Sequence, residues 1–455
     1  MRFLVILLAL FYCWFPSSAL AQDDLGNWLK DFKQDALNAG ISESTVTETI
    51  DHIELLPNII KLDLAQPEFI STFLDYYLKR VDTPKIVRGR ELLVKYEYLL
   101  NQIEAQYGVP KSLLVAFWGM ETDYGSHQGN IDTLSALATL AYDGRRATFF
   151  QSQLLDAMRI IDAGHLKANQ FRGSWAGAFG NMQFMPSTFM NYAIDGDGDK
   201  QIDIVNSMAD AFASAANYLS KVGWHKGEPI MIEVLLPPNF QWQNAQFNLR
   251  KPVLEWVQLG VTAVQGSSMV ESKALYQALV KTKKFKAKKR KSSVHQAAYK
   301  RQDIRSPQGV DLRSTALPSV NGQAAIVLPQ GWKGPAFMVF DNFDVVMDWN
   351  RSVNYALSVA QLAKRINGES RILGGQFAEV EALTFEQMFE LQAMLNVSGF
   401  NAGEPDGFPG TNTQAAIRGY QISQELPADG YASPSLYNNL KSTTDELKTK
   451  RSGSF

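Results

Sequence analysis

Apolar side chains recur at three- and four-residue intervals early in the chain, at Leu25, Trp28, Leu29, Phe32 and Ala36. Residues spaced in this way share one face of a helix, so the spacing predicts an amphipathic helix. The same pattern over 67–80 and 90–106 extends the helical reading through the N-terminal third. Between Val109 and Tyr124 the periodicity disappears, because VPKSLLVAFWGMETDY is apolar on every face after Pro110. Proline suits the first turn of a helix, and a helix apolar all round has to be buried. Further helices are expected near 147–163 and 207–222. Residues 230–236 and 324–328, followed by 336–347, alternate or run apolar as strands do. The expected class is mainly α, α+β, with a small β part.

The first 21 residues have a different pattern. Arg2 is followed by an apolar run from Phe3 to Phe15, and Ala19-Leu20-Ala21 offers small residues for cleavage before Gln22. This reads as a signal peptide, since the run falls short of the roughly 20 residues that span a bilayer. An exported mature chain without a transmembrane anchor is expected. Cys13, the single cysteine, lies in this leader. The mature chain would therefore hold its fold by packing alone and lack thiol nucleophiles.

Composition narrows the function classes further. The chain has 455 residues, 45% hydrophobic and 20% charged, as a folded protein of two to four domains does. Lys plus Arg (44) nearly balance Asp plus Glu (46), so no chain-wide basic field is available to hold nucleic acid. The five histidines are scattered without a His-Glu-x-x-His, and no Gly-x-Ser-x-Gly elbow occurs, which disfavours zinc peptidases and serine hydrolases. Between Gly266 and Gly322 the character changes to a basic insertion, densest at 281–292 and read as a solvated charge run, with electrostatic contact to anionic wall polymer or lipid headgroups as the alternative.

Glu121 stands near the end of the apolar helix, after Phe117, Trp118, Gly119 and Met120. Burial and the negative end of the helix dipole both disfavour its charged form, which is how a general acid is made. A structural glutamate satisfied by an arginine or by backbone donors fits the same residues. Asp123, two positions on, points to another face, so no two-carboxylate pair can be read here.

Tyr107-Gly108-Val109-Pro110, Trp118-Gly119-Met120-Glu121-Thr122, Tyr124-Gly125 and Thr139-Leu140-Ala141-Tyr142-Asp143-Gly144-Arg145-Arg146 arrive in an order that resembles the lytic murein transglycosylases of the B type. The resemblance continues through Gly173 to Gly180, Gln183 to Ser187, Ala216-Asn217-Tyr218 and Trp349-Asn350-Arg351-Ser352, with Gln66-Pro67-Glu68 upstream. It implies a lysozyme-like catalytic domain over 22–370. It also implies cleavage of the β-1,4 bond between N-acetylmuramic acid and N-acetylglucosamine in peptidoglycan, without water and without a required cofactor. Glu121 would be the sole acid and base, and Ser174, Gln183, Tyr218 and Asn350 would line the cleft. As bare residues these four read equally as turn, amide-satisfying and packing groups. The chain departs from the family pattern at Phe179 and in the 266–322 insertion. A lysozyme-like hydrolase using the same acid with water, and a noncatalytic wall-binding scaffold, are the competing readings.

Asp195, Asp197, Asp199 and Asp203 occupy positions 1, 3, 5 and 9 of an EF-hand-like loop, with Gln201 offering its carbonyl at position 7. Lys200 replaces the turn glycine and Asn206 stands where a bidentate Glu is expected, while Asp210 is placed to supply a carboxylate. Structural calcium is expected there, because four unneutralised aspartates in nine residues repel one another, with a solvated acidic turn as the alternative reading; the all-oxygen donor set disfavours zinc. After a glycine-containing linker at 371–383, residues 384–441 carry Leu391-Gln392, Asp406-Gly407, Thr413, Tyr420-Gln421 and Asp429-Gly430. They resemble the three-helix peptidoglycan-binding domain, followed by a polar tail at 442–455. Wall glycan is the implied partner, with room for other wall enzymes, and the implied location is periplasmic and wall-associated.

Overall fold

The computed structural model describes residues 18–65, 71–265, 314–317, 322–375, 378–379 and 381–452. Most of the expected leader with Cys13, the Gln66-Pro67-Glu68 triplet and most of the basic insertion lie outside the described residues. In chain order the elements run α1 Ser18–Asn38, α2 Glu43–His52, α3 Pro57–Ala65, α4 Phe73–Arg80, α5 Thr83–Lys95, α6 Glu97–Tyr107, α7 Lys111–Thr122, β1 Ile131–Asp132, α8 Thr133–Tyr142, α9 Ala147–Asp162, β2 Arg172–Gly173, α10 Pro186–Tyr192 and α11 Met208–Lys221. They continue with β3 Met231–Leu235, β4 Lys251–Pro252, α12 Val253–Gln258, β5 Thr262–Val264, β6 Ser314–Thr315, β7 Gln323–Val327, β8 Ala336–Val339, α13 Asp341–Trp349, α14 Val353–Ile366, α15 Phe385–Val397, α16 Thr411–Ser423 and α17 Pro434–Ser452.

The helices expected near 109–124, 147–163 and 207–222 form as α7, α9 and α11. The span 90–106 divides at Tyr96 into α5 and α6, because Tyr96 leaves helical geometry (φ −101°, ψ 17°). The apolar run 336–347 is strand only to Val339. Its second half is helix α13, with Asp341 and Asp344 in the first turn favouring the helix dipole and Phe343, Val345 and Val346 turned inward. Helix α17 continues through the first part of the polar tail, to Ser452.

The chain divides into two compact units. The first comprises residues up to Ala65 with Gln128–Asn191; the second comprises Gln66–His127 with Tyr192 onward. In the first, Leu134, Leu137, Phe150, Leu154 and Met158 of α8 and α9 are fully enclosed. Asp63 of α3, 3% exposed, receives ion pairs from both Arg145 and Arg146, which answers the cost of burying its charge.

The second unit holds α7 against α5 and α14, with Leu113 to Phe117 at most 1% exposed. Its sheet has the order β4-β7-β8-β3-β5-β6, with antiparallel pairing throughout. Trp256 fills the space beside it and donates its indole N–H to the Ala324 carbonyl at 2.8 Å. β6 lies inside the stretch expected as a solvated insertion, yet it pairs with β5 through Ala263↔Thr315 and Val264↔Ser314. Ser314 and Thr315 of the insertion are therefore strand. Within 371–383, Ile372 and Leu373 are buried, and Leu373 and Gly374 donate their N–H groups to Glu233 of β3.

The C-terminal helices α15 to α17 close on Leu391, Leu395, Ile417, Tyr420, Leu436 and Leu440. Two glutamines do the same work at two turns. Gln392 accepts from the Gly407 N–H and donates to Asp406, and Gln421 accepts from the Gly430 N–H and donates to Asp429. Both glycines have positive φ (77° and 75°), which explains the Asp-Gly pairs in the sequence.

Candidate active site

Glu121 is the penultimate residue of α7 and is half-buried. The helix stops because Asp123 (φ 49°) and Tyr124 (φ 60°) turn left-handed in succession, an uncommon conformation for a tyrosine. The turn folds the Tyr124 ring back over Gly119. A Cβ at Gly119 would stand 2.7 Å from the ring, so only glycine fits beneath it. Tyr124 then donates its hydroxyl to the Lys85 carbonyl at 2.7 Å. Thr122 closes the same end by donating to the Trp118 carbonyl and accepting from the Gly125 N–H. Trp118 is boxed edge-on by Tyr96, Tyr124 and Phe212. The run from Trp118 to Gly125 is thus a device that fixes one carboxylate at a helix end.

Lys85, whose side chain is 12% exposed, donates to the Gly119 carbonyl at 2.8 Å and pairs with Asp123 at 3.2 Å. Its charge offsets the negative end of α7, the source of one expected influence on Glu121. Asp123 is thereby committed to Lys85.

Two donors reach Glu121 from more than two hundred positions later in the chain. The Trp349 indole N–H donates to Oε1 at 2.9 Å, and the Tyr355 hydroxyl donates to the same oxygen. Trp349 ends α13; Tyr355 opens α14, whose N-cap Ser352 accepts the Tyr355 N–H. Burial first, and the facing carboxylate second, hold the Tyr355 pKa well above the usual tyrosine value, so the phenol keeps its proton and stays a donor. Indole is only a donor and the phenol keeps its proton, so Oε1 is the acceptor in both hydrogen bonds. Phe117 lies against Trp349, ring centres 4.3 Å apart.

Tyr218 donates to the Asp348 carbonyl at 3.0 Å and meets Trp349 edge-on at 5.2 Å, while burial pushes its pKa up to about 12. It props the residue that holds Glu121. Asn350 follows Trp349 as the helix cap; its side chain makes no hydrogen bond among the described residues. Glu121, Tyr218 and Asn350 are therefore assembled by the second unit. Ser174 and Gln183 belong to the first. Ser174 Oγ accepts the Ala178 N–H, and Gln183, left-handed at φ 49°, donates its amide to the carbonyls of Gln128 and Gly180. Phe179 is 1% exposed and packs on Phe171 at 4.6 Å.

Trp349 was legible as part of a motif, but nothing local gave it a role. Tyr355 carries no local signal, since its partner lies 234 positions earlier.

In the aspartate loop the carboxylates of Asp195, Asp197 and Asp210 gather within 4.8 Å of one another. Lys200 takes φ 74°, so the backbone turn expected of glycine forms with lysine. Asp210 is 1% exposed and accepts from the N–H groups of Gly196 and Asp203; burial pushes its pKa up. Asp195 accepts from Gly198 and Lys200, which hold its pKa down. Asp199 turns its carboxylate to the Gln201 N–H, and Asp203 caps Val205 and Asn206.

Residues 24–287 and 273–364 match the family described as the transglycosylase SLT domain, and 386–440 match a peptidoglycan-binding domain family. The chain is 37% identical over 158 residues to the membrane-bound lytic murein transglycosylase B of Escherichia coli (strain K12), covering 34% of this chain and 44% of that protein. The chain thus spans less than half the length of that relative. SltB3 from Pseudomonas aeruginosa, solved with NAG-NAM-pentapeptide, is similar over 91% of this chain and 99% of its own, at 35% identity and TM-score 0.78. Its complex with NAG-anhNAM-pentapeptide is similar at 36% identity, over 92% and 99% of the two chains, with the same TM-score. The Escherichia coli lytic transglycosylase Slt35 in complex with calcium is similar at 25% identity and TM-score 0.55, over 74% of this chain and 92% of its own.

Proposed function

Because the chain belongs to the transglycosylase SLT-domain family, we propose that it is a peptidoglycan lytic transglycosylase that cleaves the β-1,4 bond between N-acetylmuramic acid and N-acetylglucosamine and leaves a 1,6-anhydro ring. The observation that carries this reading is the clamp on Glu121, whose Oε1 is held by Trp349 and Tyr355. Protonated on Oε2, Glu121 gives its proton to the departing glycosidic oxygen. As the carboxylate it then takes the proton of the muramic C6 hydroxyl while that oxygen bonds to C1. Proton and bond counts close without water. Asp123, paired with Lys85, is not a free second carboxylate for a two-acid hydrolysis. The C6 hydroxyl is attached to the reacting ring, so its effective concentration exceeds that of a diffusing nucleophile.

Asn350 and Tyr218 are the glycan-binding groups of the second unit in this reading. Ser174 and Gln183 are assigned to glycan binding from their motifs, with the Ser174 hydroxyl proton and the Gln183 carbonyl as the groups that their backbone bonds leave over. The domain scheme is a catalytic domain at 22–370, a linker, and a wall-binding bundle at 384–441. The likeness to SltB3 with a glycopeptide supports wall glycan as substrate, and its complex with an anhydro sugar supports the product. Wall remodelling or turnover, in the periplasm, follows from that substrate. No helix among the described residues is long and apolar enough to cross a membrane.

The aspartate loop fits calcium, as an all-oxygen set with three converging carboxylates. Asp195, Asp197 and Asp210 would hold it, with Asp199, Gln201 and Asp203 completing the shell. Bound calcium supplies charge neutralisation and stability at that loop.

Product analysis on purified sacculi tests the reaction. Muropeptides lighter by one water than reducing ends, with no solvent oxygen taken up in heavy-oxygen water, are expected. Reducing ends carrying heavy oxygen would make the protein a hydrolase.

A further inference from the structure

We propose that His225, Glu228 and Asp341 form a second metal site, selective for a divalent ion of the zinc class and separate from both Glu121 and the aspartate loop. One ligand atom from each lies within 4.8 Å of the others. His225 and Glu228 come together because the chain turns between them: Glu228 donates its N–H to the His225 carbonyl at 3.2 Å, and Gly227 takes φ 82°. Asp341 arrives from 113 positions later as the first residue of α13.

The meeting is built by Asn342, which is fully buried. Its Oδ1 accepts the His225 N–H at 2.8 Å, and its Nδ2 donates to the carbonyls of His225 and Glu228, both at 2.8 Å. Its own backbone N–H donates to Glu228 Oε2 at 3.1 Å. Arg250 donates to Asp341 Oδ1 at 3.0 Å. Each carboxylate therefore has one oxygen oriented by a neighbour and one left over, as metal-ligating carboxylates do. The His225 ring makes neither a hydrogen bond nor an ion pair among the described residues, although two carboxylates are near.

The donor set selects the ion. One imidazole nitrogen with two carboxylate oxygens suits zinc, which takes three protein ligands and a water. Calcium demands six to eight oxygens, and this cluster falls short. Ligands about 2.0–2.2 Å from a tetrahedral zinc stand about 3.4 Å apart, so closing the site brings any two ligand atoms together by at most about 1.4 Å. His225 is exposed and free to make that movement.

The test uses the full chain, stripped with a chelator and then saturated with calcium. Zinc titrated by calorimetry is expected to bind at one site with Kd on the order of 10 µM or tighter and to raise Tm. Cobalt(II) in its place is expected to show the visible bands of a four-coordinate ion. His225→Ala and Glu228→Gln should each weaken zinc at least about tenfold while leaving the calcium response unchanged. Circular dichroism without metal checks that each variant folds, and the wild-type cobalt spectrum decides the matter independently of any variant. Absence of zinc binding at about 100 µM, or binding unchanged in both variants, overturns the proposal.

Discussion

The indole N–H of Trp349 donates to Oε1 of Glu121 at 2.9 Å, across 228 positions of sequence. Tyr355 joins it on the same oxygen. Glu121 is therefore held by groups from α13 and α14, far from it in sequence but in the same unit, and its geometry depends on those two helices being seated.

Glu121→Gln tests the proton directly. The amide keeps the shape but cannot transfer a proton, so lytic release from sacculi should fall by about 10²–10⁴-fold with the fold intact. Muropeptide release and a thermal melt, measured on the same sample, check this.

Tyr355→Phe removes one charge-assisted hydrogen bond from Oε1 and leaves the ring in place. Such a bond contributes about 1.5–3 kcal/mol, so kcat should drop about 10- to 100-fold with KM little changed. Steady-state kinetics on a soluble glycan measures the split.

Gly119→Ala places a methyl 2.7 Å from the Tyr124 ring. Overpacking of this kind costs about 1–3 kcal/mol, and the displaced ring should loosen the helix end that carries Glu121. A lowered urea midpoint together with reduced kcat is expected. Gly26→Ala, in the interior of α1 with no atom within 4 Å of the added carbon, should leave kcat unchanged and should not lower the urea midpoint, since Ala favours the helix.

Calcium should raise Tm by several degrees and a chelator should reverse it, because a ligand bound only by the folded state stabilises by mass action. Asp210→Asn removes the buried carboxylate of the cluster and should abolish most of the increment, as scanning calorimetry with and without calcium would register.

Glu233 gives a pH signature. Burial pushes its pKa from 4.5 up to about 7, against the N–H groups of Gly374 and Leu373 that favour the carboxylate. The folded state therefore holds its proton more tightly than the unfolded state. Its stabilisation is complete below about pH 4.5 and is lost as pH rises through 7. Tm should decline between pH 5 and 8 in the native protein relative to Glu233→Gln, in which this slope is absent. Parallel melts in a pH series read the difference.

Local pattern alone determined a good deal. The all-apolar run from Pro110 announced a buried helix with a carboxylate at its end, and α7 is that helix. The Asp-Gly pairs at 406 and 429 stand at turns whose positive φ excludes most side chains, so glycine there is itself a local signal. The same local logic failed at 341–347, where apolar residues fit strand or helix equally. Only the acidic first turn and packing of Phe343 and Val346 decided for helix. It failed again at Ser314–Thr315, which reads as part of a polar insertion until β5 offers backbone partners.

The site divides in the same way. Glu121 was legible because a carboxyl in an apolar run is a local anomaly, and Asp195, Asp197 and Asp210 because their spacing is local. That Trp349 and Tyr355 hold one oxygen of Glu121, that Lys85 closes the end of α7, and that His225 meets Asp341 were decided only by tertiary structure. Sequence spacing fixes which residues share a helix face or a turn within a few positions. Contacts between residues a hundred or more positions apart exist only once the core has packed and brought those faces together.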